Sequence, residues 1–351
     1  MDIYSLSSYK YDLPPENIAQ FPASPRDSSR LLVWDVKAGA VEWSKHFRDI
    51  TEYLRPDDLL ILNDTRVIPA RLIGRRETGG KFELLLLRNL SPDFLTWEAL
   101  VKPARKLRAG VSVNVGGVNV EILADKPEGL RDVRFDLADR EAFLSFIGEA
   151  GKVPLPPYIH AGDEMRESYQ TVFARSDGSA AAPTASLHFT PELLGRIQNM
   201  GVKVGYVTLH VGLGTFRPVK TSDIREHEIH TEHCELPAKT AEMIRECHER
   251  GGRVIASGTT AARTLETFGG EAGAGETSLY IYPGYRFRAV DALITNFHLP
   301  ESSLLMLVAA FVADKSGMNE EEALKQLLEV YGKAAHEGWR FFSFGDAMLL
   351  A

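Results

Sequence analysis

The sequence predicts an α/β protein: a main α/β domain with a largely parallel sheet, and a small barrel-like all-β domain inserted into it. Three observations indicate this fold. From residue 190 onward, apolar runs alternate with helical segments, which is typical of a parallel sheet covered by helices. Residues 68–135 contain short strand-like runs separated by turns, without helical periodicity. The length of 351 residues fits about two domains.

The first half of the chain reads as strands. Apolar and polar residues alternate at 31–36, 41–46 and 58–62, as expected for half-buried strands. Five further runs share a short pattern bounded by glycine or proline turns: 82–87, 97–102, 111–115, 118–123 and 133–135.

The second half alternates strands and helices. Thr190, Pro191 and Glu192 form a helix start, with a capping hydroxyl, a proline at the first helical position and an acid in the first turn. Later strands are predicted at 202–211, 253–257, 279–282 and 289–295, and helices at 238–250, 260–268, 302–312 and 319–334, with a loop at 269–275. We assign 1–62 and 150–351 to the main domain, and 63–149 to the inserted β domain.

Charge is distributed unevenly along the chain. The net charge of −8 argues against indiscriminate binding of nucleic acid, but residues 66–110 hold ten basic and four acidic residues, a local charge of +6. Six of the basic side chains are candidate phosphate contacts: Arg71, Arg75, Arg76, Lys102, Arg105 and Lys106. The alternative is a solvated barrel face. Phe94 and Trp97 nearby could stack on bases, although core packing is commoner.

Composition and the cysteine count indicate the cellular location. No run of about 18 apolar residues is present, so we expect no membrane span. The two cysteines, Cys234 and Cys247, form no disulfide framework, and the first residues lack the pattern of a signal peptide. A cytoplasmic location is the expectation.

Two strand-to-helix turns are candidate ligand sites. Gly258, Thr259 and Thr260 precede a helix whose free N–H groups would bind an anion, with Arg263 one turn later; an ordinary capped turn is the alternative. At the second turn, Asn296, His298 and Glu301 would face the same crevice, because ligands bind at the carboxyl ends of parallel strands. Alternatively, Ser302 caps the helix there and His298 packs in the loop.

Two histidines lie in segments rich in threonine and glycine. His188 precedes Phe189, and His210 ends a strand in which Thr208 shares its face; a Gly-x-Gly turn and Thr215 follow. Imidazoles in such loops are suited to acid–base chemistry, whereas a hydrogen-bonded core histidine is the alternative for His210.

A third histidine group invites comparison with metal sites. His227, His230 and His233 recur every third residue next to Cys234. In an extended segment this spacing sends successive side chains to opposite faces, and no CxxC or HExxH pattern is present. A polar strand or a substrate-contacting loop is therefore favoured over a metal site, and we expect no metal.

Motifs along the whole chain resemble one family. They lie at 11–14, 26–32, 63–72, 153–159, 169–174, 258–260, 281–285, 293–299 and 340–348. Together with the two histidine segments they resemble the S-adenosylmethionine:tRNA ribosyltransferase-isomerases of queuosine biosynthesis. The chain carries Ser186 where that family usually has glycine, and the residues around His230 also depart from the family pattern.

The resemblance implies a transferase. Such an enzyme moves the ribosyl group of S-adenosylmethionine onto 7-aminomethyl-7-deazaguanine at the tRNA wobble position and isomerises it, releasing methionine and adenine. S-adenosylmethionine is then a consumed substrate, no further cofactor is expected, and the partner is the tRNA anticodon stem-loop, which the inserted β domain would hold.

The implied chemistry assigns roles to the candidate residues. His210 or His188 would remove the proton beside the sulfonium, and His298 or Glu301 would assist the departure of adenine. The methionine carboxylate would bind at 258–260, with Arg263 assisting. Phe189 or Tyr282 would face the sulfonium. Thr215 and Asn296 complete the predicted substrate contacts.

Three other functions are alternatives. A metal-dependent hydrolase would use the histidines at 227, 230 and 233. A non-catalytic RNA-binding protein would leave the paired histidine segments without a purpose. A methyltransferase lacks support because no glycine-rich loop follows an early strand.

Overall fold

Strands of the protein form a large sheet, a smaller sheet and a two-stranded ribbon. The computed structural model describes residues 1–76, 78–155, 158–159, 165, 167–212 and 219–351. The α-helices are α1 (Arg140–Ala150), α2 (Pro191–Asn199), α3 (Ala238–Glu249), α4 (Thr259–Phe268), α5 (Ser303–Ser316) and α6 (Glu320–His336).

The large sheet has nine strands. In spatial order they are β15 (Gly273–Thr277), β13 (Glu232–Leu236), β12 (Lys203–Leu209), β3 (Leu59–Asn63), β14 (Val254–Ser257), β16 (Ala292–Asn296), β17 (Ala347–Leu350), β1 (Arg30–Asp35) and β2 (Ala40–His46). β12, β3, β14 and β16 run parallel, as do β17 and β1. The other neighbouring pairs are antiparallel. The predicted α/β fold is confirmed, with its parallel part at the centre of the sheet.

The central strands are apolar because both faces of the sheet are covered. Every residue of β3 is buried. Leu59 and Ile61 pack in one core, whereas Leu60 and Leu62 pack in another, as the alternation of side chains along a strand requires. Packing on both faces of the sheet therefore holds the central strands in place. Because β14 and β16 are parallel neighbours, the residues that follow them lie together at the carboxyl end of the sheet.

Helix starts follow the capping signals. The Thr190 hydroxyl accepts a hydrogen bond from Leu193 N at 3.1 Å, and Pro191 is the first helical residue, as predicted. Ser302 caps α5 through Leu305 N at 3.3 Å. These hydroxyls satisfy N–H groups that have no partner within the helix.

The smaller sheet is an antiparallel, nearly closed barrel. Its strands, in order, are β5 (Arg71–Arg75), β6 (Lys81–Asn89), β7 (Thr96–Lys102), β10 (Leu130–Phe135), β9 (Val118–Asp125) and β8 (Ser112–Val115). A side chain at Gly74 on β5 would meet Asn114 O on β8 at 3.1 Å, so the two edge strands approach closely. Helix α1 covers the core, with the Phe143 ring stacked 5.4 Å from fully buried Trp97. The predicted barrel-like β domain is confirmed, and Trp97 is a core residue.

A short ribbon completes the strands. β4 (Thr65–Val67) pairs in parallel with β11 (Ser176–Ser179), and the register shifts between Asp177 and Ser179, so Gly178 is a bulge residue. The domain boundaries at 62/63 and 149/150 stay a prediction.

Several strand assignments differ from the prediction, among them β4 and β11, which were not predicted. Residues 279–282 form no strand; the strand in this region is β15, which begins within the segment 269–275 predicted as a loop and ends at Thr277. Its glycines carry no apolar pattern, and backbone pairing with β13 decides the structure. β17 was not predicted, although it lies inside the sheet between β16 and β1.

Candidate active site

A narrow cavity opens at the carboxyl ends of β14 and β16. These neighbouring parallel strands bring their following residues together. The lining residues include Gly258, Thr259, Thr260, Thr295, Asn296, His298, Ala185 and Phe342. Its volume is about 50 Å³, so it accommodates a small group rather than a whole nucleoside.

The start of α4 forms one wall of this cavity. Gly258 has φ of +92°, a conformation that favours glycine, and it turns the chain from β14 into the helix. The buried Thr260 Oγ1 has no hydrogen-bond partner among the described residues. An unpartnered hydroxyl beside the N–H groups of a helix start is suited to bind an anionic group.

His188 and Asn296 form a hydrogen-bonded pair behind the cavity. His188 Nε2 lies 3.0 Å from Asn296 Oδ1, and Nδ1 lies 2.8 Å from Ser29 Oγ. The Asn296 amide donates to Phe342 O at 2.8 Å. Both nitrogens of His188 are thus engaged inside the protein, so His188 orients Asn296, and its role as the base is not supported by this geometry.

His298 is buried against the same cavity. Its Nε2 lies 2.8 Å from Thr295 Oγ1. Burial lowers the pKa of His298 to about 3 and that of His188 to about 4. Both rings are therefore neutral near pH 7 and can form hydrogen bonds, but they cannot act as imidazolium acids.

These buried rings predict a loss of stability in acid. Their pKa values in the folded protein lie below the unfolded value of 6.5, so stability is full above pH 6.5 and falls as the pH drops towards the folded values. We expect each to remove about 2 kcal/mol between pH 7 and pH 5. Urea unfolding at both pH values measures this loss. In His188→Gln the loss of unfolding free energy between pH 7 and pH 5 should be smaller by about 2 kcal/mol, the contribution of one histidine. An equal fall in that variant would contradict the assignment.

A larger pocket surrounds His210. It holds about 360 Å³, and its lining residues are Leu87, Arg88, Asn89, Leu90, Ser91, Pro92, Phe94, Asp177, Gly178, His210, Gly212, Thr231, Glu232, His233 and Glu276. The loop after β6 therefore forms one side, and residues of the ribbon and the large sheet form the other. A pocket of this size matches small-molecule sites in proteins.

The ribbon fixes the His210 ring. His210 Nδ1 lies 2.7 Å from Thr65 Oγ1 on β4, and the ring packs against Gly178 on β11. The His233 ring stacks at 6.0 Å. Nε2 makes no hydrogen bond to a described residue. Burial and the neighbouring His233 lower the pKa of His210 to about 4, so its ring is neutral at pH 7.

Gly178 leaves no room for a side chain. A Cβ there would lie 3.1 Å from His210 Nε2, and φ is +142°. We expect Gly178→Ala to displace the ring, lowering kcat at least about 10-fold and stability by about 1–3 kcal/mol. Gly148→Ala on α1, where no atom lies within 4 Å, is the matched control. Steady-state kinetics and thermal melts measure both, and an unchanged kcat in Gly178→Ala would contradict the expectation.

The segment 210–212 separates the two sites. Val211 lines the narrow cavity, whereas His210 and Gly212 line the larger pocket. Val211 N donates to Ser179 Oγ at 2.9 Å, and Ala180 N donates to Val211 O at 3.0 Å. A ligand that extends past this segment would reach both sites.

Arg263 lies behind the larger pocket in a buried ion pair. Its guanidinium binds the Glu232 carboxylate, and both side chains are about 5 % exposed or less. Arg263 Nε also donates to Leu279 O at 3.0 Å, and Glu232 Oε1 accepts from Gly212 N at 2.9 Å. This pair links α4, β13 and the turn after His210.

The barrel carries an exposed basic face. Arg71, Ile73 and Arg75 lie on one face of β5, because every second residue of a strand points the same way. Their partners in register on β6 and β7 lie on the same face. This basic face is Arg71, Ile73, Arg75, Lys81, Glu83 and Lys102. Arg105 and Lys106 are exposed in the turn that follows β7.

Comparison with known proteins identifies the family. A family model described as "Queuosine biosynthesis protein" matches residues 6–350. A relative from Syntrophomonas wolfei named S-adenosylmethionine:tRNA ribosyltransferase-isomerase is 50% identical, with 99% of this chain and 98% of the relative covered. A relative of the same name from Clostridioides difficile is 48% identical, with 97% and 98% covered. The chain belongs to the queuosine biosynthesis protein family.

A solved structure agrees with this membership. The S-adenosylmethionine tRNA ribosyltransferase of Thermotoga maritima is 37% identical, with a TM-score of 0.55 and 98% of this chain and 100% of that chain covered. The family resemblance and the transferase class predicted from sequence are confirmed. No helix among the described residues is long and apolar enough to span a membrane.

Predicted site residues of this family member fall into three groups. Gly258, Thr259, Thr260, Asn296 and His298 come together at the narrow cavity, with His188 behind it. His210 lies in the larger pocket. Thr215 is outside the described residues.

Four predicted contacts do not line either site. Phe189 is fully buried beside Phe47 in the core, so it cannot face a sulfonium. Glu301 pairs with Lys10 at 3.7 Å, Arg263 is held by Glu232, and Tyr282 packs on Tyr280 with ring centres 5.1 Å apart. No group of three metal-ligating side chains occurs among the described residues, so the histidines at 227, 230 and 233 form no metal site there.

Sequence reasoning missed the residues that position His210. Thr65 and Gly178 are distant in sequence and carry no local signal, apart from Thr65 lying in a family motif. Ser186, which stands where the family usually has glycine, is buried, and its hydroxyl lies 2.9 Å from Ser257 Oγ at the end of β14.

Proposed function

We propose that this chain transfers and isomerises the ribosyl group of S-adenosylmethionine onto 7-aminomethyl-7-deazaguanine at the tRNA wobble position, releasing methionine and adenine. The observation that carries this is the near full-length match, at 48% and 50% identity, to relatives named for the activity. S-adenosylmethionine is consumed as a substrate, and the reaction needs no metal or further cofactor.

The narrow cavity binds the methionine carboxylate. The N–H groups at the start of α4 and the Thr260 hydroxyl offer donors to an anion, which supports this assignment. Because the cavity is narrow, the ribosyl and adenine parts extend out of its mouth and stay on the cavity side of the segment 210–212. His298, which is neutral and lines the cavity, assists the departing adenine by hydrogen bonding.

His210 removes the proton from the carbon beside the sulfonium. Its ring is neutral, is held by Thr65, and stands where the narrow cavity and the larger pocket meet. A base must reach the reacting carbon within hydrogen-bond distance, and the boundary between two substrate sites is where reacting atoms meet.

The barrel holds the anticodon stem-loop through its phosphates. We expect the double reversal Arg105→Glu with Lys106→Glu to raise KM for tRNA about 10- to 100-fold, because each lysine or arginine beside a phosphate contributes sequence-independent affinity. KM for S-adenosylmethionine should stay within about twofold. Lys325→Glu on α6 is the exposed control. Equal changes in both KM values would contradict tRNA contact here.

Product analysis tests the reaction class. Incubation of the protein with S-adenosylmethionine and a wobble-modified stem-loop should release adenine and methionine in equal amounts, only when RNA is present. S-adenosylhomocysteine as the product would indicate a methyltransferase. Activity that disappears with a chelator and returns with a metal ion would favour the metal-dependent alternative, and binding of RNA without consumption would favour a non-catalytic protein.

A further inference from the structure

The larger pocket has two unlike walls. One wall is the end of β6 and the β6–β7 loop of the barrel, where the apolar Leu90, 37 % exposed, and Pro92 lie among polar residues. The other wall contributes the His210 ring, Asp177 and Glu276, and the Glu276 carboxylate binds Arg88 of the barrel at 3.2 Å. Apolar surface facing a few polar groups suits a flat ring that carries a charged substituent.

Asp177 lines this pocket and lies between two arginines. Its carboxylate lies 3.9 Å from Arg66 and 3.8 Å from Arg140, and no described residue donates it a hydrogen bond. Its side chain is 19 % exposed at the pocket. It lies next to Gly178, on which the His210 ring rests.

The basic face leads away from this pocket. On β6, Lys81 lies at the far end, opposite Arg75, whereas Leu85 lies opposite Arg71 and the strand continues into the pocket at Leu87. At about 3.3 Å per residue, the face extends roughly 20 Å from the pocket mouth. A nucleic-acid backbone, which carries a phosphate at every nucleotide, can contact the whole of such a face, whereas a free nucleoside is too small to do so.

We propose that the larger pocket receives the modified base of the RNA substrate, with Asp177 binding its primary ammonium group and Leu90 contacting its ring. This assignment rests on the proposed function. It places the base on the barrel side of the segment 210–212 and S-adenosylmethionine on the other, with His210 between them.

Binding of two stem-loops tests the proposal. One carries 7-aminomethyl-7-deazaguanine at the wobble position, and the other carries guanine. Wild-type protein should bind the aminomethyl form about 10-fold or more tightly, because an ammonium–carboxylate contact is charge-assisted. Asp177→Asn should bring this ratio to about twofold or less while KM for S-adenosylmethionine stays within twofold. Glu141→Gln, an exposed carboxylate on α1, should keep the wild-type ratio.

Two results would overturn the assignment. In the first, Asp177→Asn keeps the wild-type preference for the aminomethyl stem-loop. In the second, it raises KM for S-adenosylmethionine while RNA binding is unchanged, which would indicate that the larger pocket binds S-adenosylmethionine. If thermal melting shows that Asp177→Asn is unfolded, Leu90→Ala is measured instead. It should weaken binding of both stem-loops at least about fivefold, and unchanged binding would reject the pocket. Failure of wild-type ribosyl transfer is a separate outcome that rejects the proposed function instead.

Discussion

Replacement of His210 by glutamine is expected to lower kcat about 100- to 10,000-fold, the range usually lost with a general base. Glutamine keeps the size of the side chain and can hydrogen-bond to Thr65, so the fold should be retained. The Kd for S-adenosylmethionine should change little, because the proposed carboxylate site is the narrow cavity and not the larger pocket. Single-turnover kinetics and calorimetry measure the two quantities.

An exposed histidine provides the control for this variant. His336 ends α6 and lines neither site, so His336→Gln should have wild-type kcat. A His210→Gln protein with near-normal turnover would remove His210 from the chemistry and return attention to His298.

Replacement of Arg263 by methionine should destabilise the protein by about 3–5 kcal/mol, because it leaves the Glu232 charge buried without its guanidinium. The double variant Arg263→Met with Glu232→Leu removes both charges and should recover much of that loss. Chemical denaturation of the three proteins measures the effect. The recovery distinguishes an ion pair from a simple packing defect.

The same variants decide whether Arg263 contacts substrate. Sequence reasoning assigned Arg263 to the methionine carboxylate, but its side chain is engaged with Glu232 and Leu279. KM for S-adenosylmethionine, measured on the folded double variant, should stay within about threefold of wild type. A much higher KM without loss of stability would restore the substrate role.

The sequence was most informative where signals are local. The capping set at 190–192 and a strand at 58–62 were predicted because hydroxyl caps and hydrophobic patterns act over a few residues, although that strand was expected to be half-buried and every residue of β3 is buried. The Gly258 turn was located for the same reason, since a strand, a glycine and threonines in sequence predict an open helix start.

Long-range contacts account for what was missed. β15 has no apolar pattern and is a strand only because β13 pairs with it. Phe189 was predicted to face the sulfonium because aromatic rings bind cations, but its ring packs in the core. The bulge at Gly178 depends on a partner strand more than 100 positions away, which no window of sequence contains.

The most direct test of the proposed function is the mass of a wobble-modified anticodon stem-loop after incubation with the protein and S-adenosylmethionine. We predict a mass gain equal to the transferred and isomerised ribosyl group, present with wild-type protein and nearly absent with His210→Gln. An unchanged mass with wild-type protein that binds the stem-loop would contradict the proposed activity.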